Sequence, residues 1–224
     1  MNAELYNEEM EIAPGIKVER WKEINLNLMS VVDDWRRGVY IFEMRIGARF
    51  LEPIRAIVKN TNKEISEFCG FVVMALDCLL IETLQAFYDG RLNPTQEEKR
   101  AKTKGPKGGG SKVVTSEDVF VNFLSNRDSF KKYFTKDHAK TFYDHFRCGI
   151  LHQAEVKGSS RIRRVGALLK QTYDGKGLII NRELFHKKIK QEFDVYRNRL
   201  LAGGPKNEDL RKKFIAKMNH ICRL

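Results

Sequence analysis

Between Glu64 and Tyr88 the chain carries Ile65, Phe68, Val72, Ala75, Leu76, Leu79, Leu80, Leu84 and Phe87 at three- and four-residue spacings. This is a helical period, and its apolar positions cover more than one face. A helix of that kind must bury most of its circumference, so the segment predicts the central helix of a bundle, stopped at Asp89-Gly90. It does not read as a membrane span. Asp77 and Glu82 interrupt the most apolar stretch, Phe68 to Leu84, and crossing a bilayer takes about 20 apolar residues. Nor does Met1 to Glu11 read as a secretory signal, because it carries four glutamates and no basic residue.

The remaining chain is read around that helix. Residues 17–58 show Trp21, Ile24, Leu28, Val31, Val32 and Trp35 at helical spacing, with breaks or bends predicted at Gly38 and Pro53. Residues 97–112 have almost no apolar content and predict a basic loop. A phosphate-binding loop is excluded there, since the order is Gly110-Ser111-Lys112 and no strand precedes it. Ser116-Glu117-Asp118 reads as a helix start. Short helices are expected over Val119–Leu124 and Ser129–Phe134, a longer one over Lys136–Gln153, and two more over Arg182–Leu201 and Asn207–Cys222. A small β-hairpin is expected in Ala167–Asn181, around Tyr173-Asp174-Gly175. The fold class is therefore all-α, a helical bundle with a small β-hairpin insertion. The expected divisions are an N-terminal helical extension (1–60), the bundle (61–201) and a C-terminal helix (202–224).

Charge narrows the partner. The net charge is +12, but residues 1–90 hold 10 basic and 15 acidic side chains while residues 91–224 hold 31 and 14. A C-terminal part this basic suits a polyanion, of which nucleic acid is the commonest, or it is a solvated surface that binds nothing specific. The cysteines, Cys69, Cys78, Cys148 and Cys222, form no Cys-x-x-Cys pair, as expected of reduced thiols in a cytoplasmic protein.

Chemistry concentrates on the helix 136–153. Ala139, Phe142, Tyr143, Phe146 and Ile150 share one face, with His138, His145 and His152 spaced seven apart along its margin. Histidines so spaced stand about 10 Å apart along the axis. Zinc–nitrogen bonds are about 2 Å long, so one helix cannot chelate a metal in this way. No metal and no cofactor is expected. Arg147 and His152 are the more telling pair. A guanidinium can hold two phosphate oxygens and offset charge on a pentacoordinate phosphorus. An imidazole can move protons to or from a 2′-oxygen or a leaving 5′-oxygen. Gly149, between them, admits either the close approach of a backbone or substrate, or a tightly packed neighbouring helix. Spacing alone is a weak signal, since about one such arginine–histidine match arises by chance in a chain of this composition.

The context adds specificity. Arg147-Cys148-Gly149-Ile150-Leu151-His152-Gln153 ends a helix rich in Phe and Tyr. With the run from Ala75 to Leu84, it resembles the HEPN superfamily (higher eukaryotes and prokaryotes nucleotide-binding domain) over roughly residues 60–200. That superfamily's signature is an arginine, four to six residues, then a histidine on a late helix of an α-bundle. The resemblance implies a metal-independent endoribonuclease of a toxin–antitoxin, abortive-infection or CRISPR-linked system, acting on RNA as a homodimer. Arg147 and His152 become the catalytic pair. One departure stands out: active members often carry a polar residue after the arginine, and here Cys148 follows it. This is a tolerated variant, a weakened catalyst or a binding-only member.

Three further expectations attach to that reading. Glu82 or Asp77 orients Arg147 through a carboxylate–guanidinium pair, or both face a solvated margin of the bundle. Lys157, Arg161, Arg163 and Arg164 hold the RNA backbone, or form an exposed basic turn. On a straight helix Arg147 and His152 are rotated by about 140° and displaced by about 7.5 Å, so a two-fold axis is expected to bring His152 of one chain to Arg147 of the other, with Gly149 at the interface. The alternative to an enzyme is a catalytically silent module binding RNA, a nucleotide or a protein. An antitoxin or a larger defence complex is a further possible partner.

Overall fold

The computed structural model describes residues 9–92 and 114–224. The basic loop expected at 97–112 lies outside the described residues. The described chain is mostly helical, with short strands, and falls into two compact units.

The first unit takes the chain up to Thr61, Ala86–Leu92 and Phe193–Leu224. It opens with an antiparallel pair, β1 (Glu11–Ala13) and β2 (Ile16–Lys17), followed by α1 (Val18–Ile24) and α2 (Val32–Ile46). Neither expected break falls where the sequence placed it. The chain leaves α1 at Asn25, in the left-handed region at φ 45. Gly38 lies inside α2, where a Cβ would stand 2.8 Å from Leu26 Cδ2; it permits close packing and breaks nothing. Pro53 follows a widened π-turn, Gly47–Leu51, at the start of α3 (Glu52–Val58). Proline has no N–H to donate and its ring clashes with the carbonyl four residues back, so a loosened turn lets the helical path continue. Phe42 lies at the heart of the unit, with ring centroids 4.6 Å from Phe87, 5.6 Å from Phe214 and 5.7 Å from Tyr196. This packing explains the domain correction. Residues 86–92 and 193–201, assigned from sequence to the bundle, group with the N-terminal segment, as does 202–224, including α10 (Glu208–Ile221).

The second unit holds α4 (Lys63–Phe68), residues 70–85 of α5 (Gly70–Asp89), and the described chain from Val114 to Glu192. By length and composition α5 could cross a membrane, but most of it is buried inside the protein. α6 (Ser116–Asn126) is fixed by a capping box, in which Thr115 Oγ1 accepts the Asp118 N–H at 3.1 Å and Asp118 accepts the Thr115 N–H at 3.0 Å. The short helix expected over Ser129–Phe134 is a run of hydrogen-bonded turns. Next come α7 (Lys136–Phe142), a π-turn (Tyr143–Cys148) and α8 (Gly149–Gln153).

A three-stranded sheet follows. β4 (Leu169–Gln171) and β5 (Leu178–Asn181) are antiparallel neighbours around Tyr173-Asp174-Gly175. A third strand, β3 (Arg161–Arg163), runs parallel to β5 on its other side. The sequence pattern predicts no strand at Arg161–Arg163. α9 (Arg182–Ala202) completes the chain between β5 and α10.

The core of this unit is a phenylalanine cluster. Phe142 stacks on Phe146 at 5.0 Å and on Phe185 at 4.9 Å, and Phe130 and Phe134 close around Phe185 at 5.4 and 6.1 Å. Phe142 is fully buried and ties α7 to α9. Phe142→Ala should therefore cost about 3–5 kcal/mol in urea-unfolding stability, and a loss below about 1 kcal/mol would contradict this packing.

Candidate functional site

The helix carrying the predicted pair is not straight. Thr135 caps its start by accepting the His138 N–H at 3.1 Å, and α7 runs regularly to Phe142. From Tyr143 to Cys148 the turns widen to the π form. The His145 carbonyl there accepts an N–H from outside the helix, that of Lys157, at 3.0 Å. Such bulges are frequent at functional positions. This one places Arg147 within the widened turn, so the rotation of about 140° calculated for a straight helix does not hold.

The returning chain supplies that external donor. Ala154 ends α8 in the left-handed region at φ 55, and Glu155 N–H donates to the Gly149 carbonyl at 3.4 Å. A Cβ on Gly149 would stand 2.4 Å from the Glu155 carbonyl oxygen. Gly149 therefore accommodates its own following backbone, not a neighbouring helix.

Arg147 is held from α5. Its Nε donates to Glu82 Oε1 at 2.9 Å, and its guanidinium carbon lies 5.7 Å from the centre of the Tyr143 ring. Burial works to lower its pKa, but the neighbouring Glu82 carboxylate more than offsets this and holds the guanidinium charged. The pairing occupies Nε, and no hydrogen bond within the described residues engages the two terminal nitrogens. Cys148 is half-buried, and Tyr143 has a raised pKa, through burial first and then its hydrogen bond with the Cys148 thiol. Burial also pushes the Cys78 thiol well above its ordinary value.

Of the two α5 carboxylates expected to orient Arg147, Glu82 is the one that meets it. Asp77 is fully buried, so neither reading of it from sequence holds. Its Oδ1 lies 2.8 Å from Nδ1 of His186 on α9, and its Oδ2 has no hydrogen-bond partner among the described residues. His186 drew no notice in the sequence, since 109 positions separate it from Asp77.

The three histidines have different surroundings. His138 Nδ1 is buried without a hydrogen-bond partner among the described residues, His145 Nδ1 lies 2.9 Å from Ser160 Oγ, and His152 is exposed on α8. No hydrogen bond or ion pair joins His152 to Arg147. Among the described residues, no group of three or more His, Cys, Asp or Glu side chains is placed to hold a metal ion.

The basic residues proposed for the RNA backbone also separate. Lys157 Nζ donates to Asp144 Oδ1 at 2.8 Å, which raises its pKa. Arg164 Nε donates to Glu183 Oε1 at 3.2 Å. Arg161 and Arg163 are exposed on one face of β3. They are strand residues, not members of a basic turn.

Comparison of the chain with protein-family models, with curated proteins and with solved structures finds no match.

Two outcomes follow from this geometry. Gly149→Ala improves intrinsic helix propensity by about 1 kcal/mol, yet its methyl collides with backbone. We expect a net loss of about 1–3 kcal/mol in thermal or urea unfolding, and unchanged or increased stability would contradict the close return. For Asp77, burial raises the carboxyl from 3.8 to about 6, against the lowering effect of His186. The folded chain then retains a proton that the unfolded chain releases, so the stability contributed here is fullest at low pH and declines as pH rises through about 6. The melting temperature of Asp77→Asn relative to wild type should rise between about pH 5 and about pH 7.5. A pH-independent difference would contradict the assignment.

Proposed function

We propose that the chain is a metal-independent endoribonuclease of the HEPN type, cytoplasmic and belonging to a prokaryotic defence or toxin system. The supporting observation is the Glu82–Arg147 bond. It presents a charged guanidinium at a helix bulge, five residues ahead of an exposed imidazole. Glu82 fixes Arg147 through Nε and leaves its terminal nitrogens to face a scissile phosphate, where they offset the charge that builds on phosphorus. His152 takes the proton of the 2′-hydroxyl as that oxygen attacks, and a proton is delivered in turn to the departing 5′-oxygen, by the same imidazole or by that of the second chain. The P–O5′ bond breaks, leaving a 2′,3′-cyclic phosphate and a 5′-hydroxyl.

The proposed assembly is a homodimer with a shared pocket. In the second unit, α5 exposes Phe71 (41%), Val72 (49%) and Leu79 (41%) along the side that also carries Glu82, and α4 exposes Phe68 (79%). An apolar strip of this kind calls for a partner. A second copy meeting it across a two-fold axis would bring His152 of one chain towards Arg147 of the other. An antitoxin or another member of a defence complex would cover the same strip in a resting state.

The alternative, a catalytically silent module, draws on the lack of any bond between Arg147 and His152 and on Cys148 after the arginine. The test is cleavage of mixed RNA in the presence of a chelator. Wild type should cleave, while Arg147→Ala and His152→Ala, each still folded, should lose at least about a hundredfold in rate. Mixing the two inactive chains should restore part of the activity through mixed dimers. Undiminished cleavage by both variants contradicts the site. A fully active monomer contradicts the shared pocket only.

A further inference from the structure

The three-stranded sheet in the second unit has two unlike faces. Its register sets Ile162, Ile180 and Leu169 opposite one another, and Ile180 is fully buried, so that face packs inward. The same register sets Arg161, Ile179 and Lys170 in one row on the opposite face, with Arg163 in the next row beside Asn181. Arg161, Arg163 and Lys170 are exposed. A small sheet thus exposes three cations drawn from both of its edge strands, of which Arg161 also donates through Nη1 to the Gly158 and Ser160 carbonyls at 3.1 and 2.6 Å.

The tip of the β4–β5 hairpin is built with more bonds than a connection of this length requires. The Gly175 N–H closes the turn on the Thr172 carbonyl at 3.0 Å, with Gly175 at φ +68, a conformation that favours glycine. Asp174 Oδ1 accepts from Thr172 Oγ1 at 2.6 Å, from the Lys176 N–H at 3.0 Å and from Ser159 Oγ at 3.0 Å. These bonds hold the Asp174 carboxylate below its ordinary pKa. Asp174 is the only acidic residue between Lys157 and Asn181, against six basic ones. It is committed to the turn, so the outward cations have no acidic neighbour within that stretch. What the turn displays is Tyr173, whose side chain is fully exposed. An aromatic ring held out on a rigid tip beside a basic sheet is the combination that binds single-stranded nucleic acid: stacking on the ring, phosphates on the cations.

We infer that the outer face of this sheet is a docking platform for single-stranded RNA, with Tyr173 stacking a base and Arg161, Arg163 and Lys170 meeting the phosphates. The inference rests on the ribonuclease reading for its choice of ligand and names where the substrate strand lies beyond the Arg147 pocket. Lys157 and Arg164 are not part of it, because each is paired with a carboxylate.

The test uses a fluorescein-labelled 2′-O-methyl oligoribonucleotide of about a dozen nucleotides, a length suited to such surfaces and resistant to 2′-oxygen attack. Binding to the full chain is followed by anisotropy, and cleavage of unmodified RNA is measured in parallel. Tyr173→Ala should weaken binding about tenfold, while Tyr173→Phe stays within about twofold of wild type. Replacing Arg163 and Lys170 together by Gln should weaken binding and flatten its salt dependence by about one to two phosphate contacts. All three side chains are exposed, so these variants should fold as wild type does.

Wild-type binding that is indifferent to Tyr173→Ala, or that is displaced by poly-glutamate without regard to Tyr173, overturns the platform. So does cleavage of RNA by a wild-type chain that does not bind the probe. Binding that depends on Tyr173 in a chain that cleaves nothing sustains the platform and sinks the ribonuclease reading. Absence of both binding and cleavage overturns both.

Discussion

The Glu82–Arg147 bond is the interaction on which the candidate site depends. A carboxylate on the most apolar helix of the chain is costly unless something charged meets it, and a half-buried guanidinium is costly for the same reason. Each supplies what the other lacks, at 2.9 Å. Removing either partner leaves a partly buried charge without compensation, which penalises the variant more than loss of an exposed surface pair does. The bond also sets direction. Because Glu82 engages Nε, the guanidinium is fixed at its root while its terminal nitrogens stay available.

The widened turn and the chain that returns over it make this geometry possible. Phe142, just before the widened turn, and Phe146, within it, anchor the helix to the phenylalanine cluster. The Lys157 N–H then occupies the His145 carbonyl, Gly149 lets the backbone of Glu155 pass, and Ser160 holds His145. Those contacts link the sheet to the bulge: Ser160 Oγ also accepts the Leu178 N–H at 2.9 Å, one residue before Arg161 opens β3. Packing, the return loop and the sheet thus form one continuous support for the segment bearing Arg147.

How much of this could be read from sequence varied with the physics of each element. α5 was legible because its apolar period is long and dense, and the β4–β5 hairpin because Tyr173-Asp174-Gly175 carries turn chemistry. Gly38 and Pro53 misled. A glycine buried for close packing and a proline relieved by a widened turn look, in sequence, like breaks. The π-turn at Tyr143–Cys148 left no mark, since one loosened turn barely changes the apolar spacing of Phe142, Phe146 and Ile150. The strand at Arg161–Arg163 offered one apolar residue between two arginines, too little for a strand pattern. That Glu82 rather than Asp77 meets Arg147 depends on tertiary packing, as does the Asp77–His186 pair. The two units could not be drawn from sequence either, because α5 and α9 each contribute residues to both.

The chemistry proposed for this chain is the cleavage of RNA by its own 2′-oxygen, assisted by an arginine and an imidazole with no metal. The most direct measurement is the structure of the ends. RNA treated with the protein in excess chelator can be resolved by mass spectrometry of the terminal nucleotides. Attack by the 2′-oxygen leaves 2′,3′-cyclic phosphates, some opened to monoesters, facing 5′-hydroxyls. Ends bearing 3′-hydroxyls and 5′-phosphates, the products of water attacking phosphorus, would contradict it.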